Sequence, residues 1–435
     1  MGKPYVLVIG DSIRLVAKAR SAGADVVYAQ KPSQFDPALI PHCQELLLVD
    51  YQHVPTIEGL IRALHDQRPF TRVVTQTEAA QLVAGHLCDT LEIAGNSGGT
   101  ASLLHDKAAM RALLAERGIG PVLFVANPTR DQLHEFVSTN GPAVVKPTMG
   151  SGSLGVRRIG SPDEVDEVWA WCQEFAIGDF LVEQMLVGAE LSVESFSVRG
   201  RHTVIAVTGK DTAESVVELA HVVPAQVSDT DRARVEELTV ALLDAVGLTD
   251  GPAHTEVILT AEGPRVVESH CRRGGDRIND LVRLVYGVDL EEATYLLAGS
   301  TDPLAAAHPP RGAAAIRFLT AGPGVVTGVT GLAEARATEG VVEAQVGVEP
   351  GAVVSELRWS EDRCGHVIVR APDAEAAVRL AREAAERIVI TTAPADAGTA
   401  PRPDTLADLL DPFDEVLDPF GPQRAAHSKK QGVTA

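Results

Sequence analysis

The spacing of apolar residues predicts three kinds of structure along the chain. Over residues 1–95, short apolar runs alternate with amphipathic segments, which is typical of βαβ units around a parallel sheet. The predicted elements are Tyr5–Gly10, Ser12–Ser21, Asp25–Ala29, Leu46–Val49, Thr56–Asp66 and Arg72–Thr75. The turn Gly10-Asp11-Ser12 lacks the further glycines of a dinucleotide-binding fingerprint, so no dinucleotide site is expected there.

Strict two-residue alternation begins in the middle of the chain, residues 96–310, and predicts antiparallel strands. The clearest example is the long strand Glu190–Val198. Ahead of it, one unbroken helix is predicted to contain Asp106-Lys107, and residues 120–187 are predicted to form a smaller subdomain.

The last part of the chain carries a different pattern. Residues 311–395 follow a Pro-rich linker and contain three strand patterns and one helix pattern, which predicts a small α+β subdomain. Residues 396–435 are rich in Ala, Pro and Asp and then polar, which is typical of a mobile tail. The predicted fold class is therefore α/β.

A β-hairpin is predicted where two apolar runs, Thr255–Thr260 and Pro264–Ser269, flank a Gly-containing turn centred on Glu262. Side chains alternate between the two faces of a strand. Val257, Leu259 and Val267 are therefore expected to point into a core.

The opposite face of this hairpin carries four titratable groups, with His254 facing His270 and Glu256 facing Glu268. Two carboxylates directly across a sheet repel each other, so a cation or a shared proton is expected between them. Residues 272–275, Arg-Arg-Gly-Gly, follow at once and offer guanidinium and backbone N–H groups that suit an anion. The hairpin is thus predicted to place a cation site beside an anion site.

Composition narrows the choice of partners. The net charge of −21, from 38 basic and 59 acidic residues, argues against binding to nucleic acid or to an anionic membrane surface. The five cysteines are scattered without a CxxC pair, as expected for reduced thiols. The sequence contains no run of about 18 apolar residues, so no membrane span is predicted. A cytoplasmic protein with small-molecule partners is expected.

A strand that ends in Lys146 leads into Gly150-Ser151-Gly152-Ser153, and a second strand, Val156–Ile159, leaves that loop. Bare N–H groups and hydroxyls in such a loop can close over phosphate oxygens, and the lysine can reach the same oxygens. A P-loop differs, because its lysine follows the glycines and precedes a helix. The alternative interpretation is a flexible hairpin tip.

Taken in order, these motifs resemble the ATP-grasp superfamily of carboxylate–amine ligases, and most the dipeptide-forming L-amino-acid ligases. The motifs are Asp106-Lys107, Lys146 with its loop, Glu183 followed by Glu190, and Glu256 with Glu268-x-His270-x-Arg272. The resemblance implies an ATP-grasp fold: an N-terminal parallel βαβ (pre-ATP-grasp) domain, an ATP-lid subdomain and a C-terminal α+β subdomain. A homodimer is expected from the family alone.

The resemblance also implies a role for each motif. Glu190 would hold the ribose hydroxyls of ATP, and Lys107 and Lys146 would contact its α- and β-phosphates. Glu268 and Arg272 would be catalytic, the arginine by stabilising charge at the reacting acyl group. The Mg²⁺ ligands would be Glu256, Glu268 and His270, the lid would be Gly150, Ser151, Gly152 and Ser153, and the hinge at the adenine would be Glu183, Gln184, Met185 and Leu186.

His270 is the position where the sequence departs from the family, which usually has asparagine there. An imidazole suits Mn²⁺, Zn²⁺ or Co²⁺ better than Mg²⁺. Three possibilities stay open: Mg²⁺ held through Glu268 alone, a preference for Mn²⁺, or contact of His270 with substrate.

Five further residues have competing interpretations. Lys210 is either a third phosphate contact or a solvated strand end, and for Glu194 a solvated position is favoured. His221, in a predicted apolar loop, contacts substrate or belongs to the core. Asp276 meets a substrate amino group or caps the helix that follows. Cys271 is expected to pack inside the protein.

The implied reaction converts a small carboxylate, such as an amino acid, to an acyl phosphate and couples it to an amine, giving an amide or dipeptide, ADP and phosphate. One alternative is a carboxylase-like or purine-pathway ATP-grasp enzyme that uses bicarbonate or formate. A hydrolytic transition-metal site at the hairpin is another. The last is a nucleotide-binding regulatory module without chemistry.

Overall fold

The computed structural model describes residues 2–10, 13–150, 155–174, 178–212 and 217–394. Its N-terminal elements are β1 (Tyr5–Ile9), α1 (Ile13–Ser21), β2 (Asp25–Gln30), β3 (Glu45–Leu48), α2 (Val54–Gln67), β4 (Arg72–Val74) and α3 (Gln81–Leu91). The four strands form a parallel sheet in the order β3-β2-β1-β4, as the alternation predicted. All five residues of β1 are buried, as is typical of a parallel strand covered on both faces. Asp11 and Ser12 of the predicted first turn lie outside the described residues.

The helix predicted around Asp106 is in fact two helices, α4 (Gly98–His105) and α5 (Lys107–Arg117). Asp106 has extended backbone angles, and its carboxylate accepts hydrogen bonds from two amides in the first turn of α5. An aspartate in this position favours a cap over a helix interior. The break makes Lys107 the first residue of α5, where its amide donates to the carbonyl of Thr148.

A second, smaller sheet follows, with two helices packed beside it. Its elements are β5 (Phe124–Ala126), α6 (Arg130–Asn140), β6 (Ala143–Pro147), β7 (Arg157–Ile159), α7 (Val165–Glu174) and β8 (Phe180–Gln184). The strands are antiparallel in the order β5-β8-β6-β7. Lys146 lies near the end of β6. Ser151, Gly152 and Ser153 of the predicted lid lie outside the described residues.

The largest sheet has eight strands and carries the hairpin at one end, in the order β13-β12-β9-β10-β11-β14-β18-β16. Its first part consists of β9 (Gly188–Val198), β10 (Arg201–Thr212), β11 (Glu218–Val223), α8 (Asp229–Ala245), β12 (Gly251–Thr260), β13 (Gly263–His270), α9 (Ile278–Tyr286) and α10 (Leu290–Leu296). The segment around His221 was predicted to be a loop, and this was wrong, because it forms β11 between β10 and β14.

The C-terminal elements extend this sheet. They are β14 (Ala313–Leu319), β15 (Gly324–Thr330), α11 (Leu332–Arg336), β16 (Val341–Val346), β17 (Val353–Val354), β18 (Gly365–Ala371), α12 (Ala374–Glu386) and β19 (Val389–Ala393). Because β14 pairs with β11, the C-terminal subdomain is continuous with the sheet that carries the hairpin. The remaining strands form a three-stranded sheet, β17-β15-β19. The predicted tail lies outside the described residues.

Strands β12 and β13 pair as predicted at the four titratable positions. His254 lies opposite His270, and Glu256 lies opposite Glu268. On its other side β12 pairs with β9, which sets Ser192 beside Glu256 and fixes the hairpin against the long strand of the sheet.

The tip of the hairpin is tighter than predicted, because Thr260 pairs with Gly263. A β-bulge next to Val257 restores the register, since it sets two residues of β13 opposite one of β12. Val266 therefore enters the core. Val267 was predicted to do so, and this was wrong: it lines the cleft on the opposite face.

No helix in the described part of the chain has both the length and the apolar character that a membrane crossing requires.

Candidate active site

A cleft of about 380 Å³ lies between the small antiparallel sheet and the hairpin β12–β13. Its volume suits a ligand of nucleotide size. Ten of the predicted site residues line it, namely Lys107, Lys146, Gly150, Glu183, Gln184, Met185, Leu186, Glu190, Glu256 and Glu268. The fold thus brings residues from four separate segments of the sequence to one cavity.

A buried ion cluster forms one wall of the cleft. The carboxylate of Glu183 accepts from Arg111 Nε at 2.8 Å and pairs with Lys146 Nζ, also at 2.8 Å. Arg111 is 1% exposed, and it also donates to the carbonyls of Val266 and Val267 at the bulge. Burial lowers the pKa of Lys146, although Glu183 partly offsets this. The cluster fixes the end of β8 against the hairpin.

This cluster changes what Glu183 can offer to a base. Both of its carboxylate oxygens are engaged, one with Arg111 and one with Lys146. A contact of the predicted hinge with an adenine amino group would therefore use main-chain atoms of Glu183 to Leu186 or share one of these oxygens. The side chain of Glu183 also positions Lys146.

Lys107 links the same cleft to the first carboxylate of the hairpin. Its Nζ donates to the carbonyl of Gly150 at 2.5 Å and lies 3.2 Å from Glu268 Oε2. Burial alone would raise the pKa of Glu268, but Lys107 and His270 hold it well below its ordinary value. Glu268 is therefore an ionised carboxylate that lies between Lys107 and His270.

Glu256, the second carboxylate of the hairpin, has its own lysine. Lys210 Nζ pairs with Glu256 and, at 3.3 Å, with Glu218 Oε1. The side chain of Lys210 is 2% exposed, so, of the two alternatives left open for it, the solvated strand end is wrong. The pKa of Glu190 is raised to about 7. Burial is the main cause, and the nearby carboxylates of Glu256 and Glu218 add to it, whereas Lys210 lowers the pKa.

Behind Glu256 lies a fully buried acid–histidine pair. His254 Nδ1 lies 3.0 Å from Glu194 Oε2, and His254 Nε2 lies 3.4 Å from Glu256 Oε1. Glu194 was predicted to be solvated, and this was wrong: its side chain is inaccessible and also accepts from Ser192. Burial opposes protonation, but Glu194 and Glu256 raise the pKa of His254 to about 9.

His270 lies between two carboxylates from different domains. Its Nε2 is 3.0 Å from Glu268 Oε1, and its Nδ1 is 3.1 Å from Glu78 Oε2, just after β4 of the N-terminal domain. Burial opposes protonation, but Glu78 and Glu268 raise its pKa. Each ring nitrogen thus faces a carboxylate, and the raised pKa favours the protonated imidazole over the neutral form that ligates a metal.

Arg272 meets the same acid. Its Nε donates to Glu78 Oε2 at 2.6 Å, and His105 Nδ1 lies 3.3 Å from Glu78 Oε1. Burial would raise the pKa of Glu78, but His270 and Arg272 hold it well below its ordinary value. The predicted anion site thus contains an anionic side chain of the chain itself.

The residues after Arg272 have other partners than predicted. Asp276 does not cap α9, whose first residue is preceded by Arg277 without a side-chain cap. Its carboxylate accepts from Arg363 and lies 2.8 Å from His221 Nε2. His221 is 2% exposed, as expected of a core histidine, and Cys271 is buried, as predicted.

The donor set around Glu256 and Glu268 fits Mg²⁺. The ion is commonly held by one or two carboxylates, with phosphate oxygens and water completing its shell. Among the described residues, no three His, Cys, Asp or Glu side chains converge as a ready-made metal cage. A transition-metal hydrolase would need such a cage.

Several residues of the site were missed from the sequence. Arg111 could have been found, because it lies one turn after Lys107 on α5 and so shares its face. Glu78 could also have been found, since ligands of parallel sheets bind beyond the carboxyl ends of the strands. Glu218 and Arg363 carry no local signal, because only the folded sheet brings them near Lys210 and Asp276.

Comparison with known protein families gives three consecutive matches. Residues 16–95 match the ATP-grasp N-terminal domain, residues 139–280 the ATP-grasp domain, and residues 317–393 the L-amino acid ligase C-terminal domain 2.

Individual relatives agree with these matches. An L-arginine-specific L-amino acid ligase of Bacillus subtilis is 24% identical over 72% of this chain and 78% of its own. The crystal structure of an L-amino acid ligase from Bacillus licheniformis superposes with a TM-score of 0.78 at 20% identity, over 90% of this chain and 100% of its own. The N5-carboxyaminoimidazole ribonucleotide synthetase of Thermotoga maritima shares the fold with a TM-score of 0.68 at 18% identity, over 90% of this chain and 100% of its own.

The domain order and the cleft therefore define the chain as an ATP-grasp ligase, an enzyme of the class that forms carbon–nitrogen bonds. Within that class it is most like the L-amino acid ligase branch, because its C-terminal domain matches the domain named for that branch. Both the predicted fold class and the predicted family are confirmed.

Proposed function

We propose that this enzyme uses ATP to convert a small carboxylate, an amino acid in the first instance, to an acyl phosphate and then joins it to an amine. A carboxylate oxygen attacks the γ-phosphorus, and the bond to the β–γ bridging oxygen breaks to release ADP. The amine nitrogen then attacks the acyl carbon, the bond to the phosphate oxygen breaks, and the nitrogen loses a proton. The products are an amide, ADP and phosphate.

One observation carries the proposal: Glu256 and Glu268 lie on one hairpin and Arg272 lies just after its second strand, between the nucleotide-sized cleft and the N-terminal domain. Phosphoryl transfer from ATP to a carboxylate needs both reactants at one place, in line. The hairpin offers cation ligands to the cleft, and the loop after it offers a guanidinium beside the N-terminal domain. A transferred phosphoryl group would lie between them.

The side chains around the cleft and the hairpin would each have a separate role in this reaction. Lys107 and Lys146 would bind phosphate oxygens, and Glu183 and Arg111 would hold Lys146 in place. Glu256 and Glu268 would hold Mg²⁺, which when bound offsets charge on the transferred phosphoryl group. Arg272 would bind the acyl carboxylate, which would replace Glu78 as its partner.

The experiment combines the full chain with ATP, a panel of amino acids singly and in pairs, and Mg²⁺ or Mn²⁺ in parallel. One acid–amine pair is expected to raise phosphate release above background, with a product whose mass is that of the pair less one water. Hydroxylamine in place of the amine should trap the acyl phosphate as a hydroxamate. Absence of any carboxylate-dependent phosphate release would refute the proposal.

The panel also includes bicarbonate and formate. ADP formation that depends on one of these, with no response to amino acids, would support the carboxylase-like or purine-pathway alternative instead. Nucleotide binding without turnover of any acid would indicate a regulatory module.

A further inference from the structure

The turn that follows the anion site has an unusual backbone. Asp276 and Arg277 both have positive φ angles, +52° and +62°, although neither is glycine. L-residues with side chains rarely adopt this region, and two in succession persist only where neighbouring contacts hold them. The turn joins the end of the hairpin, with Arg272, to the first residue of α9.

Asp276 is held by a residue of the C-terminal subdomain. Arg363 donates to both of its carboxylate oxygens, at 2.8 and 2.5 Å, in a two-pronged contact with 10% and 18% of the side chains exposed. The guanidinium also lies over the ring of Phe318, 3.7 Å from its centroid. His221 completes the enclosure from β11.

Arg277 is held from the same side. Its two terminal nitrogens donate to both oxygens of Glu343 on β16, at 2.8 and 2.9 Å. His366 on β18 lies 3.0 Å from Glu343 and fixes its orientation. Each of the two strained residues thus makes a paired, charged contact with the C-terminal subdomain.

The other end of the same loop is held by the N-terminal domain. Arg272 pairs with Glu78, and the amide of Arg273 donates to Gln76 Oε1 at 2.7 Å. Between the two ends, Gly274 packs so closely that a Cβ atom would lie 2.8 Å from His254 Nδ1. The loop is therefore fixed at both ends and pressed against the hairpin in the middle.

We propose that Arg363 and Glu343 are positioning residues, through which the C-terminal subdomain clamps the turn at Asp276-Arg277 and so sets the geometry of the anion site at residues 272–275. The clamp itself follows from these contacts alone. Its consequence for the acid substrate rests on the function proposed above. The subdomain is then a part of the active-site framework rather than an appendage.

The test uses the full chain with Arg363→Gln and Glu343→Gln, and measures amide hydrogen exchange without substrates. Peptides that cover residues 272–280 are expected to exchange at least about tenfold faster in either variant, because local opening governs exchange. Peptides of the hairpin β12–β13 should be unchanged. In the ligase assay, KM for the acid should rise about tenfold, and KM for ATP should stay within about twofold.

Arg317→Gln is the matched control. Arg317 belongs to the same subdomain and pairs with Asp211 at 2.8 Å, but at the surface and away from the turn. The clamp is refuted if exchange at residues 272–280 is unchanged in both variants, or rises equally in the control. Equal increases in KM for acid and ATP would also contradict it.

A second variant, Arg363→Lys, keeps the positive charge but loses the two-nitrogen contact with the carboxylate of Asp276. It should restore the exchange rate only partly. If no acid supports turnover, the exchange data still decide the clamp, and only the proposed function fails.

Discussion

On the cleft side of the hairpin, Lys107, Lys146 and Glu183 all come from the middle part of the chain, residues 96–310, and their charges are already paired with each other or with Glu268 of the same part. On the opposite side, Arg272 donates a hydrogen bond to Glu78 of the N-terminal domain, which lies 194 residues earlier in the sequence. We call the first the nucleotide side and the second the acyl side. One hairpin thus joins a cleft wall built within one part of the chain to a site assembled from three domains.

The difference has a physical reason. A nucleotide presents the same phosphates to every enzyme that uses it, so short motifs with lysines and backbone amides suffice. A pocket for a variable acid or amine needs side chains whose combination can differ between proteins, and these lie on loops that the scaffold positions. The nucleotide side should therefore tolerate disturbance of the other domains, and the acyl side should not.

Loss of the carboxylate that both sides share should have the largest effect. Glu268→Gln removes the charge that Lys107 and His270 surround and one of the two hard ligands proposed for Mg²⁺. The catalytic efficiency for phosphate release is expected to fall about 10³-fold, the loss typical of a missing electrostatic group. Glu262→Gln, at the exposed tip of the same hairpin, should leave the rate unchanged. A loss of less than tenfold in Glu268→Gln would contradict the shared role.

A change on the nucleotide side should appear mainly in stability. Arg111→Ala leaves Glu183 with Lys146 as its remaining partner and removes one donor each from the carbonyls of Val266 and Val267. Breaking a buried ion pair in this way lowers the free energy of unfolding by about 3 kcal/mol or more. Urea denaturation measures the free energy of unfolding. The control is Arg117→Ala on the exposed face of α5, which is expected to lower that free energy by under about 0.5 kcal/mol. Equal losses of unfolding free energy in the two variants would show that the buried ion cluster has no special structural role.

On the acyl side, Arg272→Gln should separate the two substrates. The catalytic efficiency for the acid is expected to fall about 10²-fold, because a charged hydrogen-bond donor to the carboxylate is replaced by a neutral one. The affinity for ATP, measured by calorimetry with Mg²⁺, should change less than about twofold. Arg265→Gln serves as the control, because Arg265 lies near the tip of the hairpin, on β13, and donates to the carbonyl of Pro264. If the catalytic efficiency for the acid and the affinity for ATP fell by the same factor, the nucleotide side and the acyl side would not be separable.

The same contrast explains what could be predicted from the sequence. The parallel N-terminal sheet and the pairing of Glu256 with Glu268 follow from periodicities of a few residues, and both are confirmed. The bulge that redirects Val267 is a one-residue effect that periodicity cannot detect. Glu194 alternates like a solvated residue, yet the sheet buries it beside His254. Partners that depend on strand order, such as Arg363 for Asp276, become visible only in the folded chain.

A smaller and more local effect concerns Glu190, which lines the nucleotide side. Burial raises its pKa from 4.5 to about 7, so between these values the folded state holds a proton that the unfolded state has lost. Its contribution to stability is complete below pH 4.5 and disappears as the pH rises through 7. Glu190→Gln cannot ionise, so it should unfold about 2–4 °C above the native chain at pH 8 and at the same temperature near pH 4.5. Thermal unfolding at both pH values measures the difference, with Glu262→Gln as the control. A constant difference at the two pH values would show that the change alters packing rather than charge.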